Sequence, residues 1–533
     1  MEGDVRWKPT AAVQKAPGMW ESRWFIARVN RVPLAWLGER IRSTIANASR
    51  VIHVTDGVMS TVILEPAEWA QQNFGGCDLG DKRRTDRLMH LAVQVAARPD
   101  GSTPEQTETW GDCKAAYRLF NEEDVTFQAI IAPHCALTRQ SCLPGTVKLI
   151  IDDTTEIDYG GLRHISGLGP VGNGSGRGFF LHTAMMLDSN DGRIEGLAGQ
   201  KIFYRKPFSK KKWSKSVQRR SAKRESVVWG ELIDDVGPPP PGVKWLHVCD
   251  RGADDIEIFC RAQQQGCGWV IRACKLNRFV ISDDGRRLAL SDLMDEQPVS
   301  GSKKVHVPAT PKSAARTAVV ELRFCSMAFP RPRVLTPWLR HHYLKQACPA
   351  FPVPMFVVEL REVAPPKGAA PVRWVLTTSE RITNVTEAFT IVDFYERRPA
   401  VEDFHKGLKT GSHVEKRYYE TAARLERVTG LLSVVAIRLL QMRTAARETP
   451  NRPAREVAPE RWIKMVQKLR NSKDRRPIDP NMTIYNFMRA VAGLGGHLGR
   501  KGDGEPGWIT LWKGFNKLLQ IVRGAELERE KCG

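Results

Sequence analysis

The chain has 533 residues, 42% of them hydrophobic, which sets an expectation of two to four domains with real cores and excludes global disorder. Its 81 Lys and Arg against 59 Asp and Glu give a formal charge of +22, which points to polyanionic partners. No apolar run predicts a membrane span and no signal peptide is evident, while the 11 cysteines carry no paired spacing, so reduced thiols in a cytoplasmic protein are expected.

Residues 1–58 mix Trp and Arg without clear periodicity and read as a variable extension, with Met59 as an alternative start. "EPAEWAQQNFGGCDLGDKRRTDRLMHLAVQVAARP" predicts helices broken at "FGG" and near Pro99, within a helical region over 59–126. From about residue 146 the pattern turns to strands. "VKLIIDDTTEIDY" is an apolar run ending in acids, and "GFFLHTAMMLDSNDGR" looks like half a hairpin. "VKWLHVCDRGADD" is a second apolar strand ending in an acid, followed by a helix through about 265 and the strand "GCGWVIRA". Strand, crossover helix and strand predict an α/β sheet.

Half of residues 205–224 are Lys or Arg, with aromatic residues interleaved. Lys210, Lys211 and Lys212 are candidate phosphate contacts there, and a solvated loop is the alternative. Residues from about 275 to 385 are rich in Pro and short β-prone runs, which predicts a β-rich insertion. Residues 386–446 read as strongly helical, 449–458 as a polar linker, and the remainder to 533 as a last helical segment.

Two acids, Asp153 and Asp250, fall at the ends of apolar strands. Strand side chains alternate faces, so only one of Asp152 and Asp153 points into a given site. A third acid, Glu402, sits in the basic stretch "YERRPAVEDFHKGLK". At helical spacing Tyr395, Arg398, Glu402, His405, Lys406 and Lys409 fall within an arc of roughly 100°. Pro399 is best tolerated in the first turn, so the helix is expected to begin near Arg398. Each acid alone has an ordinary reading as a turn, cap or i,i+4 salt-bridge residue. Together the three carboxylates form a ligand set suited to Mg²⁺, beside cations that would grip phosphates.

The spacing Tyr395-x2-Arg398-x3-Glu402-x6-Lys409, with "IDDTT" around Asp153 and "VCDRGAD" around Asp250, resembles the signature of the IS-four family of DDE transposases from bacterial cut-and-paste insertion sequences. "LGDKRRTDRL" (79–88) resembles that family's transposon-end-binding segment. "RWVLTTSE" resembles its strand bearing a base-stacking Trp, here Trp374, and "LGGHLGRKGDGEPGWITLWKGFNKL" (494–518) its dimerisation region.

The resemblance implies a ribonuclease H-like mixed α/β sheet core over 127–446, carrying the insertion. A helical DNA-binding domain would precede it and a helical dimerisation domain over 447–533 would follow. Asp153, Asp250 and Glu402 would be catalytic and hold two Mg²⁺ ions, with Mn²⁺ as a substitute. Tyr395, Arg398, Lys406 and Lys409 would grip end phosphates, Trp374 would stack a flipped base, and Arg83, Arg84 and Arg87 would contact the terminal inverted repeat. The implied partners are double-stranded DNA, both transposon end and target, and a second copy of the chain, in the bacterial cytoplasm at the nucleoid. Two departures stand out: Pro399 replaces a family aromatic, and 1–58 has no counterpart. A DNA-binding protein of the same descent that no longer cleaves, and a general Mg²⁺ nuclease, remain as alternatives.

Overall fold

The computed structural model describes residues 64–533 apart from 161–164, 206–214, 222–223, 308–313, 346–350, 475–478, 480, 501 and 533. The extension 1–58 and Lys210, Lys211 and Lys212 lie outside the described residues.

The N-terminal helices follow their start signals. Helix α1 (Pro66–Phe74) opens on its proline and ends at Gly75. The Asp81 side chain caps α2 (Lys82–Ala97) by accepting from the Arg83 N–H. A short turn, α3 (Thr103–Gln106), leads to α4 (Trp110–Leu119) and α5 (Phe127–Gln140), capped by Thr109 and Thr126.

A mixed sheet follows. Strand β1 (Val147–Asp158) lies antiparallel to β3 (Gly176–Asp188), which also pairs with the short β2 (Gly169–Val171) and with β4 (Ile194–Phe203). After α6 (Lys215–Arg220) and α7 (Val227–Val236), strand β5 (Lys244–Cys249) enters parallel to β1. Helix α8 (Ile256–Gln264) then crosses over to β6 (Gly268–Arg272), parallel to β5.

The residues between β6 and α11 (Val385–Glu396) do not build a sheet of their own. They supply β7 (Phe279–Ser282), β8 (Arg287–Ala289), α9 (Leu290–Asp295), β9 (Gly301–Val307), β10 (Arg316–Phe329), α10 (Pro337–Leu344), β11 (Val353–Glu362) and β12 (Arg373–Thr378). Strand β12 pairs antiparallel with β6, so the same sheet continues in the order β2-β3-β1-β5-β6-β12-β11-β10-β7-β8. Joining the free edge of β6 satisfies backbone groups that an exposed edge would leave to solvent.

Alternation along the strands divides the core. On β5, Trp245, His247 and Cys249 face α7 and α8, while Leu246 and Val248 face the opposite layer. That second layer contains α1, α2, α5 and α11, then α12 (Pro399–Lys406), α13 (Ala422–Glu448), α14 (Glu460–Asp474), α15 (Ile484–Leu494) and α16 (Trp508–Cys532). The N- and C-terminal helices therefore share one continuous apolar core with the sheet. Helix α13 is its spine: Leu431, Leu432, Val434, Val435, Ala436 and Ile437 are all buried, which leaves it almost no wet face.

The polar run 449–458 differs from the expected linker. Ala454, Val457 and Ala458 are buried, and the Ala454 N–H donates to the Met482 carbonyl at 2.7 Å. Small apolar residues interspersed in a polar run are enough to dock it. Among the described residues the cysteines form no disulfide, and no helix is long and apolar enough to cross a membrane.

Candidate active site

Neighbouring residues of β1 point to opposite faces of the sheet. Asp152 is buried on the α7–α8 side, beside Cys249. Asp153 faces the other layer, where Arg398, the residue before α12, donates from Nη1 to its Oδ2 at 3.2 Å. Asp250 directly follows β5 and caps a 3₁₀ turn (Arg251–Ala253), its Oδ1 accepting from the Gly252 N–H at 2.7 Å. Glu402 lies exposed in the first turn of α12 and accepts from Nη2 of the same Arg398. One guanidinium thus bridges two of the three acids.

The acids share an electrostatic field. Burial pushes the Asp153 carboxyl up to about 6, and the charges of Asp250 and Glu402 add to the rise; the Thr154 amide and Arg398 oppose it.

Helix α12 is held in place from both ends. Arg397 donates to the carbonyls of Asp188 and Asn190 at 2.9 and 2.8 Å, which ties the α11–α12 junction to the β3–β4 turn. Pro399 occupies the first turn, Val401 and Phe404 insert into the core, and Asp403 pairs with Arg443 of α13.

Gly252 holds Asp250 in its cap. A Cβ there would stand 2.9 Å from a Trp229 ring carbon and 3.0 Å from Asp250 Oδ1. Gly252→Ala is therefore expected to displace the carboxylate without unfolding the chain. A misplacement of about 1 Å costs as much as 10²-fold in rate. Cleavage rates beside circular dichroism will check this; full activity in the variant would show that Asp250 has room to spare.

The expected stripe through 395–409 is divided. Tyr395 belongs to α11, before the turn at Arg397, and is buried edge-to-face against Trp374 with ring centroids 5.2 Å apart. His405, expected among the cations, is buried with Nε2 3.4 Å from Thr183 Oγ1, and burial holds its pKa down to about 3. It is neutral because its side of α12 packs on β3, which buries the imidazole. Arg398, Glu402 and Lys406 remain at the surface or partly so, and Lys409, in the π-helical turn Gly407–Gly411, lies 3.3 Å from Glu415.

On α2, Arg83 projects into solvent beside Asp81. Arg84 is held by Glu122 and Asp124 at 2.5 and 2.7 Å, and Arg87 by Asp112 at 2.8 Å. Of these three, Arg83 presents the most open guanidinium.

One feature beneath the acids has no helical or motif signature in the sequence. His247 Nδ1 lies 2.7 Å from Asp152 Oδ2, with both side chains buried, and Cys249 Sγ reaches the same oxygen at 3.4 Å. Burial opposes the imidazolium, but the Asp152 carboxylate outweighs it and carries His247 up to about 10. This ion pair joins β1 to β5, the strands that deliver Asp153 and Asp250.

For the Mg²⁺ expected from the sequence, the donors are right in kind: hard oxygens, one of them bearing a charge that its surroundings do not fully neutralise. Among the described residues no three Asp, Glu, His or Cys side chains stand together as a ready ligand set, and Arg398 lies between two of the acids.

Two segments match known families. Residues 66–125, which span α1 to α4, match the transposase DNA-binding domain. Residues 434–532, from the middle of α13 to the end of α16, match the Tn5 transposase dimerisation domain. Asp153, Asp250 and Glu402 lie between the two matches.

Proposed function

This chain belongs to the Tn5-like, IS-four family of transposases, and we propose that it is an active cut-and-paste enzyme whose chemistry resides in Asp153, Asp250 and Glu402. The observation that supports the proposal is the Arg398 guanidinium that joins Asp153 to Glu402, with the charges of Asp250 and Glu402 both felt at Asp153. The order β4-β3-β1-β5-β6, three antiparallel strands followed by two parallel ones, supports a ribonuclease H-like core.

Asp153, Asp250 and Glu402 would hold two Mg²⁺ ions, with Mn²⁺ as a substitute. Bound there, the metal supplies activation of the attacking oxygen and stabilisation of the leaving oxygen in an in-line displacement. The chain's own groups orient the DNA. Arg398 would exchange its two carboxylates for an end phosphate, an exchange that uncovers the acids only when DNA arrives. Lys406 extends the cationic strip beyond Glu402, and Lys409 follows it one turn later. Arg83 on α2 would contact the terminal repeat, with Arg84 and Arg87 supporting it. Trp374, braced edge-to-face by Tyr395, would stack on an extruded base.

In the first step water attacks the end phosphodiester, releasing a 3′-hydroxyl. That hydroxyl then displaces an oxygen at the opposite strand to form a hairpin, and after hairpin opening it joins target DNA; each displacement breaks one phosphodiester P–O bond and forms another P–O bond. The dimerisation domain would bring two ends together.

The test is a cleavage assay on labelled DNA carrying the inverted repeats that flank this gene, in Mg²⁺, with Glu402→Gln alongside. Nicking and joining by the wild type, falling by at least about 10³-fold in the variant, are expected of a group that acts directly on the reaction. Tight end binding without cutting by either protein would instead make this chain a DNA-binding descendant.

A further inference from the structure

Beyond the acids, the structure contains a cavity of about 270 Å³ whose described lining includes six cations: Arg219, Lys275, Arg278, Arg287, Arg331 and Arg333. We propose that this cavity is a second, sequence-independent DNA site that grips backbone phosphates apart from those at the cleaved bond.

The charge balance is the first support. Asp255 is the one carboxylate among the described lining residues, and Arg219 neutralises it with two contacts at 3.1 and 3.2 Å. Arg278 is neutralised from behind by Asp254 at 2.7 Å. Lys275, Arg287, Arg331 and Arg333 have no acidic partner among the described residues, and all four are exposed. Four unpaired cations around one cavity repel one another unless an anion joins them.

The second support is the shape of the wall. Arg331 and Arg333 alternate with Pro330 and Pro332. Each proline fixes its own φ and keeps the residue before it extended, so the arginines are displayed on a stiffened rim with less order to lose on binding. Among the described residues the lining includes no Asn, Gln, Ser or Thr, the usual neutral readers of base edges, which suits backbone rather than base recognition. Phe279, 54% exposed, adds a ring at the mouth with Arg287 at 5.3 Å from its centroid. Cations with an aromatic at their edge suit a nucleic-acid strand better than a protein surface.

Position is the third. Asp255 in the wall follows Asp250 by five residues, and Lys275 and Arg278 follow β6, the next strand of the sheet. Ile256 and Phe329 in the cavity wall belong to the α7–α8 side of the sheet, so the cavity opens on the face opposite Asp153, apart from the cleaved bond.

The experiment measures binding in EDTA, so it reads nothing of the cutting chemistry. Full-length protein is titrated onto fluorescent duplex DNA that lacks the inverted repeat, between 50 and 200 mM KCl. The variant is Lys275→Ala with Arg333→Ala, which removes two cations that hold no ion pair and so leaves folding intact. The control is Lys304→Ala with Lys367→Ala, which removes the same charge from exposed positions elsewhere. Loss of two phosphate contacts flattens the slope of log affinity against log salt by about 2, so wild type loses roughly tenfold more affinity than the variant across that range. The control is expected to keep the wild-type slope, and Lys275→Arg with Arg333→Lys to restore it. An unchanged slope in the alanine variant, an equal flattening in the control, or displacement of DNA by polyglutamate at equal charge would overturn the proposal.

Discussion

Asp153→Asn will abolish cleavage and at the same time raise the melting temperature of the free protein. The second effect follows from the burial and like charge that push this carboxyl up to about 6. The folded state holds the Asp153 proton more tightly than the unfolded chain does. Ionisation of Asp153 therefore costs stability as pH rises through the window from about 4 to about 6, and the cost is complete above it. With the side chain largely buried, that cost is roughly 3 kcal/mol at pH 7.5. Asn keeps the shape and an acceptor for Arg398 but removes the charge. Calorimetry without divalent ions should show a Tm gain of a few degrees at pH 7.5 that shrinks toward zero near pH 4. A variant no more stable than wild type at pH 7.5 would mean that Arg398 already neutralises the site. A gain in stability accompanied by loss of chemistry would mark Asp153 as a charge retained for function, since a structural carboxylate of this kind would stabilise the fold.

The elements that present these acids are legible because local pattern determines them. Apolar runs that stop at an acid give β1 and β5, and the two-residue period of a strand is enough to put Asp152 and Asp153 on opposite faces. Pro399 likewise announces that the helix bearing Glu402 starts at its own position, and α12 does so.

What is not legible depends on partners far away in the chain. The helical stripe places His405 beside Lys406, but nothing local says that β3 covers one side of that helix and strips the imidazole of its charge. The Pro-rich region predicts strands without saying that β12 will add to β6 and extend the same sheet. Arg84 looks like any exposed helix arginine until the loop bearing Glu122 and Asp124 folds against it. In each case the missing information is a pairing across tens or hundreds of residues, set by tertiary packing.

The buried pair beneath the site leads to the other large effect. Asp152→Asn removes the carboxylate that keeps His247 protonated in a fully buried position, and it should cost about 3–5 kcal/mol, the penalty typical of breaking such a pair from one side. The sign of the pH dependence is fixed by His247, whose folded pKa is raised. Its contribution is fully present below about pH 6.5, the ordinary histidine value, and is lost as pH rises toward about 10. Urea denaturation of the wild type should therefore show stability declining across that window, and the Asp152→Asn profile should be flatter. The double variant Asp152→Leu with His247→Leu tests whether the pair is needed for stability or for geometry. Replacing both partners with apolar groups is often neutral, so most of the lost stability should return. Cleavage should not return with it if the ion pair sets the register in which β1 and β5 present Asp153 and Asp250 to the reaction. Recovery of both would reduce the pair to ordinary core packing. Recovery of stability alone would make His247 and Asp152 positioning residues, acting on the reaction through the two strands they join.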